Sequence, residues 1–287
     1  MKRIHLTILT ICFAVPAFAQ PGTEIYLFDL KLKKDKITIS NPVRVTNHPG
    51  YDSQPFFHPD KSILYYASAD TSGRTDILTY NYQTKASSKF TSTSEREYSP
   101  TVTPDKKFVS CIIQRDDGKQ DLGKYPIDGG EATVIINNLT VGYHAWLDND
   151  NVVVFVLGEP QTLRLYNVST AKDIVLADSI GRSLHLIPKT KTISFVDKSS
   201  SPKHLIKRIK SIDAIDILGE ALPNREDLAW TNDGRIVMSD GEKLFYFDTV
   251  KDKMWKPIDV TGETPLKGIT RLSINASGDK IAIVISE

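Results

Sequence analysis

One pattern recurs six times along the chain: an aromatic or aliphatic residue, a short polar turn, then a β-branched strand. It is clearest as Phe57-His58-Pro59-Asp60-Lys61-Ser62-Ile63 and as Trp230-Thr231-Asn232-Asp233-Gly234-Arg235-Ile236. The first residues of the copies, Phe57, Val102, Trp146, Ile187, Trp230 and Ile274, stand 41 to 45 residues apart. A unit of that length holds about four short strands, and a period of roughly 40 to 45 residues is the sequence mark of a β-propeller.

The segments after each anchor fit this reading. Ile63-Leu64-Tyr65-Tyr66, Val152 to Val156, Ile193-Ser194-Phe195-Val196 and Ile281-Ala282-Ile283-Val284 are short runs rich in β-branched and aromatic residues, suited to strands buried on both faces. Third strands follow at Asp76 to Tyr80, Leu163 to Asn167 and Leu244 to Asp248. Asp117-Gly118, Asp128-Gly129-Gly130, Asp233-Gly234 and Asp240-Gly241 supply the reversals. The same third-strand pattern precedes the first anchor, at Glu24 to Asp29, whereas the sixth copy ends just after its second strand. The expected fold is therefore all-β, a six-bladed β-propeller whose last blade is closed by strands from both termini. The start of the chain supplies the two outer strands, near Ile25 to Leu30 and Pro42 to Thr46. Closing the ring in this way removes its free edges.

Residues 1–19 read as a signal peptide and 20–287 as a single propeller domain. Lys2 and Arg3 form a basic start, Leu6 to Val15 an apolar stretch, and Ala17-Phe18-Ala19 a small-residue cleavage motif, so cleavage is expected before Gln20. The apolar run is too short for a transmembrane anchor and is interrupted by Pro16. Lipidation at Cys12 is disfavoured because the bulky Ile11 precedes it. Losing Lys2 and Arg3 turns the formal charge of +1 into −1, a balance without the basic footprint of a nucleic-acid or anionic-membrane partner. Only Cys111 then remains, in the apolar run Phe108 to Ile113, where a buried inert thiol is expected.

Tyr51-Asp52-Ser53-Gln54-Pro55-Phe56-Phe57-His58-Pro59-Asp60-Lys61 and Glu97-Tyr98-Ser99-Pro100-Thr101-Val102-Thr103-Pro104-Asp105-Lys106, with Ser72-Gly73-Arg74-Thr75-Asp76-Ile77 downstream, resemble TolB-type propeller repeats. The resemblance spans the chain from Gln20 onward and is strongest in the first, second and fifth copies. It implies a six-bladed periplasmic propeller that serves as a protein-binding scaffold without a cofactor. In that family an α/β domain precedes the propeller and meets inner-membrane Tol proteins, and peptidoglycan-associated lipoprotein is received at the propeller mouth. About five residues separate Gln20 from the first strand here, so a propeller lacking that N-terminal domain is expected, and the inner-membrane partnership does not carry over.

In such a ring the loops entering the inner strands and those joining second to third strands gather around the channel mouth. Five residues before the anchors stand Asp52, Glu97, Val141, Arg182, Arg225 and Ile269, two acids facing two arginines. Tyr98 and Tyr143 lie close by, as does Tyr51. A mouth divided in this way suits an envelope protein or peptide segment with separated charges. Against this stands the common fate of strand-entry charges, which is solvation or pairing across blades. His144 and His185 fall two residues before their anchors in adjacent blades, where the first two copies have Pro55 and Pro100. The last two blades place Leu228 and Leu272 there, so no third ligand is in step and no metal is expected. His58, His48 and His204 read as exposed.

No His-Glu-x-x-His, Gly-x-Ser-x-Gly or phosphate-loop motif is present. The expected protein is thus a non-catalytic monomer without a cofactor, exported to the periplasm, free of the membrane after cleavage, and binding through Asp52, Glu97, Tyr98, Tyr143, His144, Arg182, His185 and Arg225. The alternative is a propeller enzyme of lactonase, glycosidase or lyase type, with Asp52, Glu97, His144 and Arg182 as its acid, base and oxyanion groups.

Overall fold

A computed structural model describes residues 22–263 and 266–287. The leader residues up to Gln20 lie outside the described residues. Six antiparallel sheets form a ring. Blade one comprises Asp52–Phe57, Ile63–Ala69, Thr75–Asn81 and Ala86–Lys89; blades two to five repeat this order from inner to outer strand. All six anchors stand at or immediately after the end of an inner strand, and a polar turn follows each. No helix of the described residues is long and apolar enough to cross a membrane.

Blade six joins the two ends of the sequence. Its inner strands, Ile269–Ile274 and Lys280–Ser286, are continued outward by Thr23–Lys33 and Lys36–Arg44. Thr23 pairs with Ser286 and Asp29 with Lys280 in one antiparallel ladder. The outermost strand begins at Lys36, earlier than the expected Pro42. The reversal falls at Lys34-Asp35, and alternation places Ile37 and Ile39 wholly inside. Thr46, expected within that strand, lies beyond it, where its Oγ1 accepts from Ile25 N at 2.9 Å. Asp259–Val260 then adds a short parallel strand to the outer edge of the blade.

The two-residue period of each strand divides its side chains between two neighbours. Ile281, Ile283 and Ile285 pack toward blade five, whereas Ala282 and Val284 pack toward blade one. Every second strand does the same, so the core consists of six clusters, one at each interface. Two anchors add a bond to the preceding blade, since Trp146 Nε1 donates to Ser110 Oγ and Trp230 Nε1 to Ser194 Oγ, both at 2.8 Å. Burial pushes the Cys111 thiol up and keeps it in the unreactive protonated form. His58, expected to be exposed, is buried, because its Nδ1 accepts from Asp60 N and Lys61 N at 3.0 Å and organises the hairpin.

Candidate functional site

The inner strands carry a β-bulge that decides which residues meet the channel. In blade one the register shifts between Ser53 and Phe56, and in blade two between Tyr98 and Thr101. Shifts also occur between Val141 and Tyr143 and between Ile269 and Arg271. Within the first two, Gln54 and Ser99 take the left-handed conformation, with φ of 56° and 52°. An extra residue inverts the inside-outside sense of what precedes it. Asp52, Glu97, Val141 and Ile269 are accordingly turned into the sheets and buried. Three residues before the anchors, Gln54, Ser99, Tyr143, Leu184, Asp227 and Arg271 line a common cavity.

Asp52 and Glu97 occupy equivalent positions and are both fully enclosed. Glu97 accepts from Thr93 Oγ1 at 2.5 Å, Tyr125 OH at 2.9 Å and Thr91 Oγ1 at 3.4 Å. Desolvation pushes its carboxyl up, partly offset by those donors. Asp52 faces His48 Nε2 at 3.1 Å. Burial pushes its pKa up to about 6, with Ser68 and His48 drawing it back.

On the other side of the ring, arginines meet a shared carboxylate. Arg271 Nη1 donates to Asp227 Oδ1 at 2.5 Å, and Arg182 Nη2 donates to Asp227 Oδ2 at 2.7 Å. Arg271 Nη2 also donates to Tyr143 OH at 2.9 Å, with its guanidinium carbon 5.2 Å from that ring's centroid. Asp227 is held below the usual carboxylate range, its burial outweighed by Arg271 and Arg182. Burial works against the Arg271 charge, but Asp227 and Tyr143 raise its pKa, so it stays cationic. Burial likewise pushes the Tyr51 phenol up to about 12, and Tyr51 meets Tyr98 edge-on at 6.3 Å.

The cavity is about 120 Å³ and takes residues from all six blades. A second recess of about 150 Å³ shares Arg182, Asp227, Arg271 and Leu272 with it and is also lined by Arg225. Of the residues singled out in the sequence, Tyr143, His144, Arg182 and His185 come together at the cavity. Arg225 stands at the second recess, donating to the Asp240 carbonyl, while Asp52 and Glu97 lie within the blades. His144 Nε2 bonds Ser110 Oγ at 2.7 Å, and burial lowers its pKa to about 3; His185 bonds Ser183 Oγ at 2.9 Å, and burial lowers its pKa to about 4. Both imidazoles are therefore neutral near pH 7. Among the described residues, no three His, Cys, Asp or Glu side chains converge as metal ligands. Arg271, Asp227, Gln54 and Ser99 were not among the residues singled out in the sequence. Reading the ring three residues before each anchor, the register of Tyr143, would have found them.

No protein-family model and no curated protein sequence matches this chain. Solved structures do. A protein assigned as TolB from Agrobacterium tumefaciens superposes with a TM-score of 0.71 at 13% identity, covering 93% of this chain and 99% of that one. The fold is that of the TolB propeller. TolB from Acinetobacter baumannii gives a TM-score of 0.61 at 13% identity, with 91% of this chain covered and 63% of that protein, so the chain spans somewhat under two-thirds of its length. An oligogalacturonate lyase in complex with manganese gives 0.57 at 15% identity, covering 88% of this chain and 83% of the lyase.

Proposed function

We propose that this protein is an exported scaffold of the cell envelope, located in the periplasm as a monomer, that binds a polypeptide partner at the channel mouth. The leader-like start supports the address. The Arg182–Asp227–Arg271 cluster carries the binding reading. Two guanidiniums and a tyrosine, joined by hydrogen bonds through Asp227 and to each other, line one cavity shared by all six blades, and Arg and Tyr are the side chains enriched where interfaces anchor. Tyr98 contributes through its contact with Tyr51, and His144 and His185 line the cavity as neutral groups.

The lyase-like alternative draws less support. Asp52 and Glu97, the acids available for proton transfer, are sealed within blades, and the two histidines are tied to serines. Among the described residues no three His, Cys, Asp or Glu side chains converge as they would to hold the manganese found with the similar lyase.

Affinity capture from envelope extracts tests the proposal. A partner retained by the exported protein should be lost when Arg182→Glu and Arg271→Glu are combined, and kept when Asp60→Lys and Asp105→Lys alter the opposite, hairpin face. Equal capture by all three proteins would refute binding at the mouth. Intact-mass measurement tests the address, with a chain beginning at Gln20 expected and a diacyl group on Cys12 overturning it.

A further inference from the structure

The cluster carries more positive charge than it neutralises. Arg182, Arg271 and Lys198 are set against Asp227 and Glu226, with Arg182 Nε 3.5 Å and Lys198 Nζ 3.3 Å from Glu226. One cation is left over, in a recess where Arg271 is only 14% exposed. Among the described residues no acceptor meets Arg182 Nη1 or Arg271 Nε, and Asp227 has both oxygens committed. A partly desolvated guanidinium with open donors is best matched by a planar, two-oxygen anion. Across the cavity, Gln54 Oε1 accepts from Ser99 N at 2.7 Å, and its Nε2 meets no acceptor among the described residues. That amide is placed to donate to a carbonyl.

Size selects the kind of carboxylate. The cavity that Gln54, Arg182 and Arg271 share is small, about 120 Å³. A chain end, with its carboxylate and one small side chain, asks for less of that space than an internal segment, which must also leave it. Leu184 and Leu272 line the same space and give that side chain apolar contact.

We infer that the channel mouth captures the free C-terminus of its polypeptide partner, with the carboxylate on Arg271 and Arg182, the preceding carbonyl on Gln54, and a small apolar last residue against Leu184 and Leu272. The inference rests on the proposed scaffold function and specifies which part of the partner enters.

The test uses a mixed-sequence hexapeptide library synthesised twice, once with a free C-terminal acid and once amidated, passed over the immobilised exported protein. Retained peptides are sequenced and their affinities measured by fluorescence polarisation. Acid-ended peptides should bind at least about tenfold more tightly than their amides, the factor expected for one charge-assisted contact. Arg271→Gln should abolish that preference. Arg182→Gln, whose melting should stay near wild type, should weaken it, and this second variant serves if the first is poorly folded. The acid-amide comparison itself needs no variant. Equal retention of both libraries, with loss in the arginine variants, would overturn terminus capture and leave the scaffold reading standing. Retention of amidated peptides rich in Asp or Glu would assign the recess to side chains and overturn it as well. Saturable binding of D-galacturonate, with neither peptide library retained, would make the ligand a free sugar acid and overturn both readings.

Discussion

Blades one and two and blades four to six carry charges of opposite sign, and the ring treats them differently. Asp52 and Glu97 sit ahead of a bulge that rotates them into the sheets, where hydroxyls and a histidine receive them. Arg182 precedes an inner strand only two residues long, His185–Leu186, so no ladder dictates its direction and it reaches the channel. Arg271 lies past the shift in its own strand and points the same way. Charge near the mouth is thus structural on one arc and available on the other. What separates the two is backbone register, not residue type.

The most severe way to break this contrast is to open the ring. Deleting Thr23–Arg44 strips blade six of its outer half and bares the edge of Lys280–Ser286. The cooperative melting transition should disappear, and chromatography should show association. A melt close to that of the full exported chain would mean that the closure holds neither arc together.

The acidic arc is tested next. Glu97→Ala takes the shared acceptor from the buried hydroxyls of Thr91 and Tyr125, and from exposed Thr93, and should cost about 2 to 4 kcal/mol in urea unfolding. A loss below about 1 kcal/mol would mark Glu97 as dispensable to the blade.

Asp52 gives a smaller effect with a distinctive pH signature. Its folded pKa of about 6 lies above the ordinary 3.8, so in that window the folded state keeps a proton that the unfolded chain has released. Its contribution to stability therefore falls as pH rises from about 4 to about 6 and is flat beyond. Asp52→Asn lacks this dependence. Measured by melting at stepped pH, the variant should gain on wild type across that interval and then hold a constant lead. A lead that does not change with pH would contradict the burial assigned to Asp52.

The smallest change belongs to the basic arc. Arg225→Gln removes a partly exposed contact to the Asp240 carbonyl and should alter stability by less than about 1 kcal/mol. A larger loss would show that this arc too is structural, and the contrast would collapse.

Blade number, anchors and closure were legible because interface burial imposes a period that the residues display openly, as in Ile281 to Ile285. The mouth was harder to read. Strict alternation from each anchor makes Asp52 and Arg182 equivalents, but one inserted residue reverses the facing, and nothing in Asp52-Ser53-Gln54-Pro55 announces a left-handed Gln54. Gln and Ser adopt positive φ rarely enough that glycine-based turn signals pass over them. His58 was misjudged for a related reason, since a histidine in a hairpin reads as solvent-facing until its ring is seen to accept two backbone amides.

The pairing of Thr23 with Ser286 also sets an order of events during synthesis. Blades one to five can assemble as their residues emerge, each on the one before. The strand Thr23–Lys33, made before those five blades, waits for Lys280–Ser286, made after them, and contacts of such separation are the slow ones in folding. Arg271 arrives with that same closing blade. The guanidinium pair is therefore complete only when the circle is, and a nascent or truncated chain holds Arg182 and Asp227 without the second arginine needed to engage a partner.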